Sequence, residues 1–465
     1  MRACLFIIFL FASSCIAQKA TPEPADLAIV GGAIIPAYGE QAIQDGVVIV
    51  RSARIACVGS RADCVAPAGT RTIDAAGAIV APGLIDAHVH YAQTGWFDGS
   101  PAGFNVSEIY DKAALDRRTM AGRHETDASY VCAGVTSVFD MGGPHWTLSH
   151  ADESAVLRAA TGPILTDMPD TVLRAFNSAE AISLYSARTP EAMRRQVMVV
   201  AEAGADVIKV ILSPSYLDNP APYAALLSAA VDAADEANVQ VSLHALAHRD
   251  AEIGLGLGID ILAHSVMDKP LGADLAAAIA DRGVIYIPTF VVRRRFADGY
   301  AIVLSGAERE APDPLGCLDG RTDQLIEADA DRLAAAAPDF MRADGFVRLQ
   351  MLRTQREEAV MTASLRDAFE AGVTVAMGSD AGNPNMPHGV GLLYELEALE
   401  AAGFEPEVLL KAATLGGAAA LRLEHELGRL APDAHADIVI YDRDPRESTA
   451  HLWSVRHVVL GGRLQ

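Results

Sequence analysis

The chain is 465 residues long and 51% hydrophobic, and it carries a formal net charge of −23 with an isoelectric point near 4.9. That length supports one large hydrophobic core and a smaller second one. The absence of a basic footprint argues against nucleic acid or an anionic membrane surface as partner.

The chain opens with MRACLFIIFLFASSCIAQKA: Arg2, an apolar run to Ala12, then small residues, which is the order of a secretory signal. The run is shorter than the roughly 20 residues that cross a bilayer. Residues 1–20 are therefore expected outside the folded domain, with cleavage after Ala17 and a secreted or periplasmic product. Lipidation at Cys15 is the lesser alternative. Beyond this segment Cys57, Cys64, Cys132 and Cys317 are too few for a disulfide scaffold. Cys57 and Cys64 flank a turn, VGSRAD, and read either as a local disulfide or as free thiols.

From Asp26 to Ile79 the pattern is short strands and turns, and it returns after Leu427 in LGRLAPDAHADIVIYDRD and VRHVVLGGRLQ. One small β domain built from both termini is expected, over residues 21–80 and 428–465. Between them, apolar strands alternate with Ala-rich helical stretches. The expected strands are 84–90, 135–141, 163–168, 205–212, 239–246, 260–265, 284–290 and 374–380. This α/β alternation predicts a parallel (β/α)8 TIM barrel over 81–427. A doubly wound sheet is disfavoured because no glycine fingerprint follows the first strand. Residues 291–350 read as a helical insertion of the kind that covers an active face.

One residue conflicts with its surroundings. Lys209 interrupts the apolar run VIKVIL at 207–212, where a buried ammonium is costly unless paired or neutralised. A salt bridge is the plain explanation for one such residue alone. Other strand ends carry similar groups. His88 and His90 alternate with period two and so face the same side, a two-nitrogen grip for a metal. His244, His264 and Asp380 close three further strands. Each alone reads as a core histidine or a turn residue; together, at the face where barrels place their chemistry, they read as a site.

The segments APGLIDAHVH, GADVIKV, VSLHA, DILAHS and GSDAGNP, with the terminal LGRLAPDAHADIVIYD, resemble the amidohydrolase superfamily over nearly the whole mature chain. The nearest branch joins imidazolonepropionase-like enzymes to metal-dependent prolidases and dipeptidases. The resemblance implies a composite β-sandwich at the termini and two divalent ions, with zinc as the expected metal. It implies that His88, His90 and Asp380 hold one ion, that His244 and His264 hold the other, and that Lys209, as N6-carboxylysine, bridges them. A metal-bridged hydroxide would attack the scissile carbonyl, with Asp380 as the catalytic acid and base. The implied substrate is a small amide: a dipeptide, an N-acyl amino acid or a cyclic amide. Lactone, ester or phosphotriester hydrolysis suits the same site, deamination suits it less, and a non-catalytic binding role least. Substrate contacts are expected from His145, Tyr216, Arg293, Arg294 and His388 on loops over the barrel mouth. A homo-oligomer is compatible with the resemblance, although no interface is legible.

Overall fold

The computed structural model describes residues 26–100, 104, 106, 109–213, 219–318 and 320–465. The central segment is built on parallel strands. We label them β1 (Leu84–Val89), β2 (Val135–Asp140), β3 (Leu157–Ala160), β4 (Ile164–Thr166), β5 (Leu184–Ser186), β6 (Val207–Ile211), β7 (Gln240–His244), β8 (Ile261–Ala263) and β9 (Ile285–Ile287). They lie in two sheets, ordered β3-β2-β1 and β5-β4-β6-β7-β8-β9, and every neighbouring pair runs parallel. All of β1 and most of β6 are buried. Helices cover the outer faces of these strands, which explains their near-continuous apolar sequences.

Between the strands the helices follow ordinary capping chemistry. Thr189 caps Pro190–Glu202, accepting from the Ala192 amide, with proline in the first turn. Pro220–Ala237 ends at Asn238 in the left-handed conformation.

The segment expected as the eighth strand, 374–380, is an extended stretch held by isolated bridges (Tyr286 with Val375, Val89 with Ala381). Its amides and carbonyls pair on both sides: Ala376 N donates to Tyr286 O, Ala87 N to Met377 O, and Asp380 N to His88 O at 2.7 Å. Gly378 permits this approach, because a Cβ there would lie 2.6 Å from the Cβ of His88. The hydrogen bonding thus runs from β9 through 374–381 to β1. Two short strands, β3 and β5, add to the expected set.

The terminal segments form two further sheets. One contains Arg54–Ser60, Gly46–Arg51, Leu27–Val30 and Thr72–Asp74. The other joins both ends of the chain, with Ile438–Tyr441 antiparallel to Ile79–Pro82. Residues from both sheets, among them Ile29, Val48, Val80, Ile438 and Val459, share one buried cluster. Disulfides join Cys57 to Cys64 and Cys132 to Cys317. The second ties the loop after helix Val292–Ser305 back to the end of helix Arg123–Cys132. In the expected insertion, Val292–Ser305, Arg321–Ala336 and Asp339–Arg342 are helical, and a 25-residue helix, Phe346–Glu370, leads back to the last strand-like segment.

Candidate metal centre

The C-terminal ends of β1, β7 and β8, a residue in β6 and the end of 374–380 converge on one cavity of about 490 Å³. His88, His90, Lys209, His244, His264 and Asp380 all line it. His88 Nε2 lies 3.5 Å and His90 Nε2 3.1 Å from Asp380 Oδ1, and His264 Nδ1 is 3.8 Å from Oδ2. The rings of His244 and His264 are 4.3 Å apart, and those of His88 and His264 4.7 Å.

The partners of these groups define their chemistry. His90 Nδ1 meets the carbonyl of Gly142 at 2.9 Å, which places its proton there and leaves Nε2 as the donor atom. His264 Nδ1 meets Thr289 Oγ1 at 2.8 Å, which fixes the orientation of the ring. Asp380 Oδ1 accepts from Asn383 Nδ2 at 2.8 Å. Three of the residues concerned, His264, Thr289 and Asp380, have positive φ of 72°, 44° and 60°. Such backbone costs of order 1–3 kcal/mol per residue and clusters at functional sites.

Burial sets the protonation states. His244 is pushed down to about 3, first by burial and then by the charge of Lys209. His88 and His264 are also held well below the ordinary histidine range, chiefly by burial. These imidazoles are neutral near pH 7, the form that ligates metals. At His90 burial also pulls downward, but Asp380, together with Asp140 and the Gly142 carbonyl, outweighs it and raises the value. Lys209 is 1% exposed, and burial lowers its pKa to about 7 against an opposing pull from Asp380.

The donor set fits a metal on the structure's own terms. Lys209 Nζ, both ring nitrogens of His88 and His244 Nδ1 are buried with no hydrogen-bond partner among the described residues, a costly state for polar atoms. His88, His90 and Asp380 offer ligand atoms within 4.8 Å of one another.

Asp86, which the sequence reading passed over, supports the centre from behind. It is fully buried, and burial raises its pKa to about 7 against the hydrogen bonds from Ser379. It accepts from Ser379 N at 2.8 Å, from Ser379 Oγ at 2.5 Å and from His88 N at 3.3 Å. It therefore pins 374–380 against β1 beside both His88 and Asp380. An aspartate inside LIDAHV was the available signal.

The expected substrate contacts divide. Arg293 lines the cavity, with its Nε held by Glu357 at 3.0 Å. Arg294 does not line it: its guanidinium forms two parallel bonds to Glu358, at 2.8 and 2.7 Å. His145 and His388 are likewise absent from the wall. His145 Nε2 meets Tyr185 Oη at 2.8 Å, whereas His388 is engaged at both nitrogens, by Tyr130 Oη and by the Gln93 carbonyl. These three positions have partners within the chain and stand outside the lining of this cavity. Tyr216 lies outside the described residues.

Comparison with known proteins agrees with this geometry. The model of the amidohydrolase family matches residues 79–464. An imidazolonepropionase of Anaeromyxobacter dehalogenans is 29% identical, covering 94% of this chain and 90% of its own. A 5-methylthioadenosine/S-adenosylhomocysteine deaminase of Halobacterium salinarum is 26% identical, covering 94% and 92%. A solved Xaa-Pro dipeptidase with methionine in its active site superposes with a TM-score of 0.68 at 18% identity, over 94% of this chain and 99% of that one. At that identity the likeness speaks for the fold alone.

Proposed function

Because the chain belongs to the amidohydrolase family and is a hydrolase of carbon–nitrogen bonds, we propose that it hydrolyses an amide bond of a small substrate at a two-metal centre bridged through Lys209. The observation carrying this reading is Lys209 itself, a buried amine without a partner among neutral histidines. Burial favours the neutral amine, the form that adds carbon dioxide, and the resulting carbamate replaces a disfavoured cation with an anionic ligand. His88, His90 and Asp380 would hold one ion and His244 and His264 the other, with carboxylated Lys209 between them; zinc is the first choice. Bound there, the ions would supply Lewis acidity and make water acidic near neutral pH.

The chain's own groups do the rest. His90 is fixed in tautomer and orientation by the Gly142 carbonyl, and His264 in orientation by Thr289. Asp380 takes the proton of the attacking water and returns it to the leaving nitrogen as general acid. Asn383 and Asp86 keep its carboxylate and backbone in place. On this reading the parallel strands close as a (β/α)8 barrel through 374–381, the terminal sheets stack as a β-sandwich, and the chain is exported and loses residues 1–17. The two disulfides support an oxidising compartment.

The test is release of amine from N-acyl amino acids, dipeptides and cyclic amides by metal-loaded protein, beside matched esters and lactones. Amide turnover abolished by Asp380→Asn supports the reading. Turnover of esters or lactones alone would move it to the other hydrolase class, and ammonia release from an aminated ring would move it to deamination.

A further inference from the structure

The lining of the cavity beyond the metal centre combines apolar and cationic groups. Met168, Val172, Phe176, Leu246, Met267 and Phe296 all line it, and none is fully buried. Leu246 is 36% exposed, among the most open large apolar side chains of the described chain. Helix Asp170–Phe176 is the clearest case. It buries no residue at all, yet Val172 and Phe176, one turn apart, turn their apolar face to the cavity. Apolar surface left open in this way costs about 25 cal/mol per Å² until something covers it, and concave apolar walls beside convergent polar groups mark ligand sites.

Two cations line the cavity as well. Arg293 follows β9, is held by Glu357 through Nε, and lies close enough to His264 for its charge to be felt there. Lys112 lines the same space with its Nζ paired to Asp116. Among the described lining residues the only carboxylate is Asp380, which the centre uses. A free α-ammonium would find no other anionic partner among the described residues of this wall, whereas a carboxylate has Arg293, whose planar guanidinium is oriented by Glu357.

Resting on the amide-hydrolase reading, we propose that the substrate is an N-blocked amino acid: an amide with a bulky apolar acyl group seated on helix Asp170–Phe176 and a carboxylate directed to Arg293. Met168, Val172 and Phe176 set the preference for acyl size. Free dipeptides and small polar cyclic amides are poor substrates because they leave the apolar wall uncovered.

The test uses metal-loaded full-length protein and N-acetyl-, N-butanoyl-, N-hexanoyl- and N-octanoyl-L-alanine, with L-alanyl-L-alanine and N-octanoyl-L-alaninamide beside them. kcat/KM is expected to rise by up to about fourfold per added methylene until the wall is covered. The alaninamide should lose at least about tenfold, and the free dipeptide should fall below N-hexanoyl-L-alanine. In Phe176→Ala and, independently, Val172→Asp, the octanoyl-to-acetyl ratio should collapse at least about tenfold; both side chains are partly exposed, so folding is expected to survive. A flat or falling series with brisk turnover of N-acetyl-L-alanine or the dipeptide overturns this substrate class and leaves amide hydrolysis standing. No turnover of any amide by metal-loaded protein overturns the amide reading and this class with it.

Discussion

The strand ends and the loops above them carry similar residues to opposite purpose. Lys209 and Arg294 are both cations expected near the mouth, and His88 and His388 are both histidines beside it. Arg294 has its guanidinium taken up by Glu358 and His388 has both nitrogens engaged. Lys209 Nζ and both nitrogens of His88 are buried without a hydrogen bond among the described residues. The difference teaches that partner accounting adds to residue type where ligand-type atoms converge on one cavity: unsatisfied buried nitrogens gathered there call for a partner that the chain does not supply.

Breaking that comparison begins where the expected effect is largest. Asp380→Asn should lower kcat/KM by about 10³-fold while circular dichroism and melting temperature hold, since it removes acid–base chemistry from a packed site. Retention within tenfold would place the proton transfer elsewhere. His388→Phe should do the reverse, costing about 1–3 kcal/mol in urea unfolding by orphaning Tyr130 and the Gln93 carbonyl, with kcat/KM within about threefold. A hundredfold kinetic loss at unchanged stability would void the partner criterion.

Glu395 sharpens the same point. It is fully buried and accepts from the amides of Phe290 and Val291 at 2.6 and 2.7 Å. Burial nevertheless raises its pKa from 4.5 to about 8. A raised carboxyl holds its proton in the folded chain, so its contribution is fully present below pH 4.5 and is lost as pH climbs through about 8. Glu395→Gln should flatten that slope, which approaches about 1.4 kcal/mol per pH unit; an unchanged pH–stability profile would show the carboxyl ionised throughout. The smallest effect is expected at Arg294. Its side chain is 53% exposed, and Arg294→Ala should cost at most about 1 kcal/mol and leave kcat/KM unchanged, as thermal melts and kinetics would show.

Much of this was legible in the sequence, for definable reasons. The candidate metal-centre positions stand out as polar residues ending or interrupting apolar runs, a signal that survives without tertiary information. Asp86 obeys the same rule, but beside His88 and His90 its role depends on Ser379, which only the folded chain brings to it. LRAA at 157–160 is too short, with an arginine inside it, to stand out as a strand. The stretch 374–380 has strand character but takes its pairs one bridge at a time, which periodicity cannot foresee. Cys132 and Cys317 are 185 residues apart, and no local pattern joins such partners. The roles of His145, Arg294 and His388 depended on Tyr185, Glu358 and Tyr130, which only the folded chain brings to them.

The central claim is that the unsatisfied groups belong to a metal centre bridged through Lys209. Elemental analysis of metal per chain, on wild type and Lys209→Ala purified without chelators, tests it most directly. The account predicts close to two divalent ions per wild-type chain and a clear fall in the variant. Equal metal in both proteins, or none in either, would contradict it and leave Lys209 as a buried lysine of the scaffold.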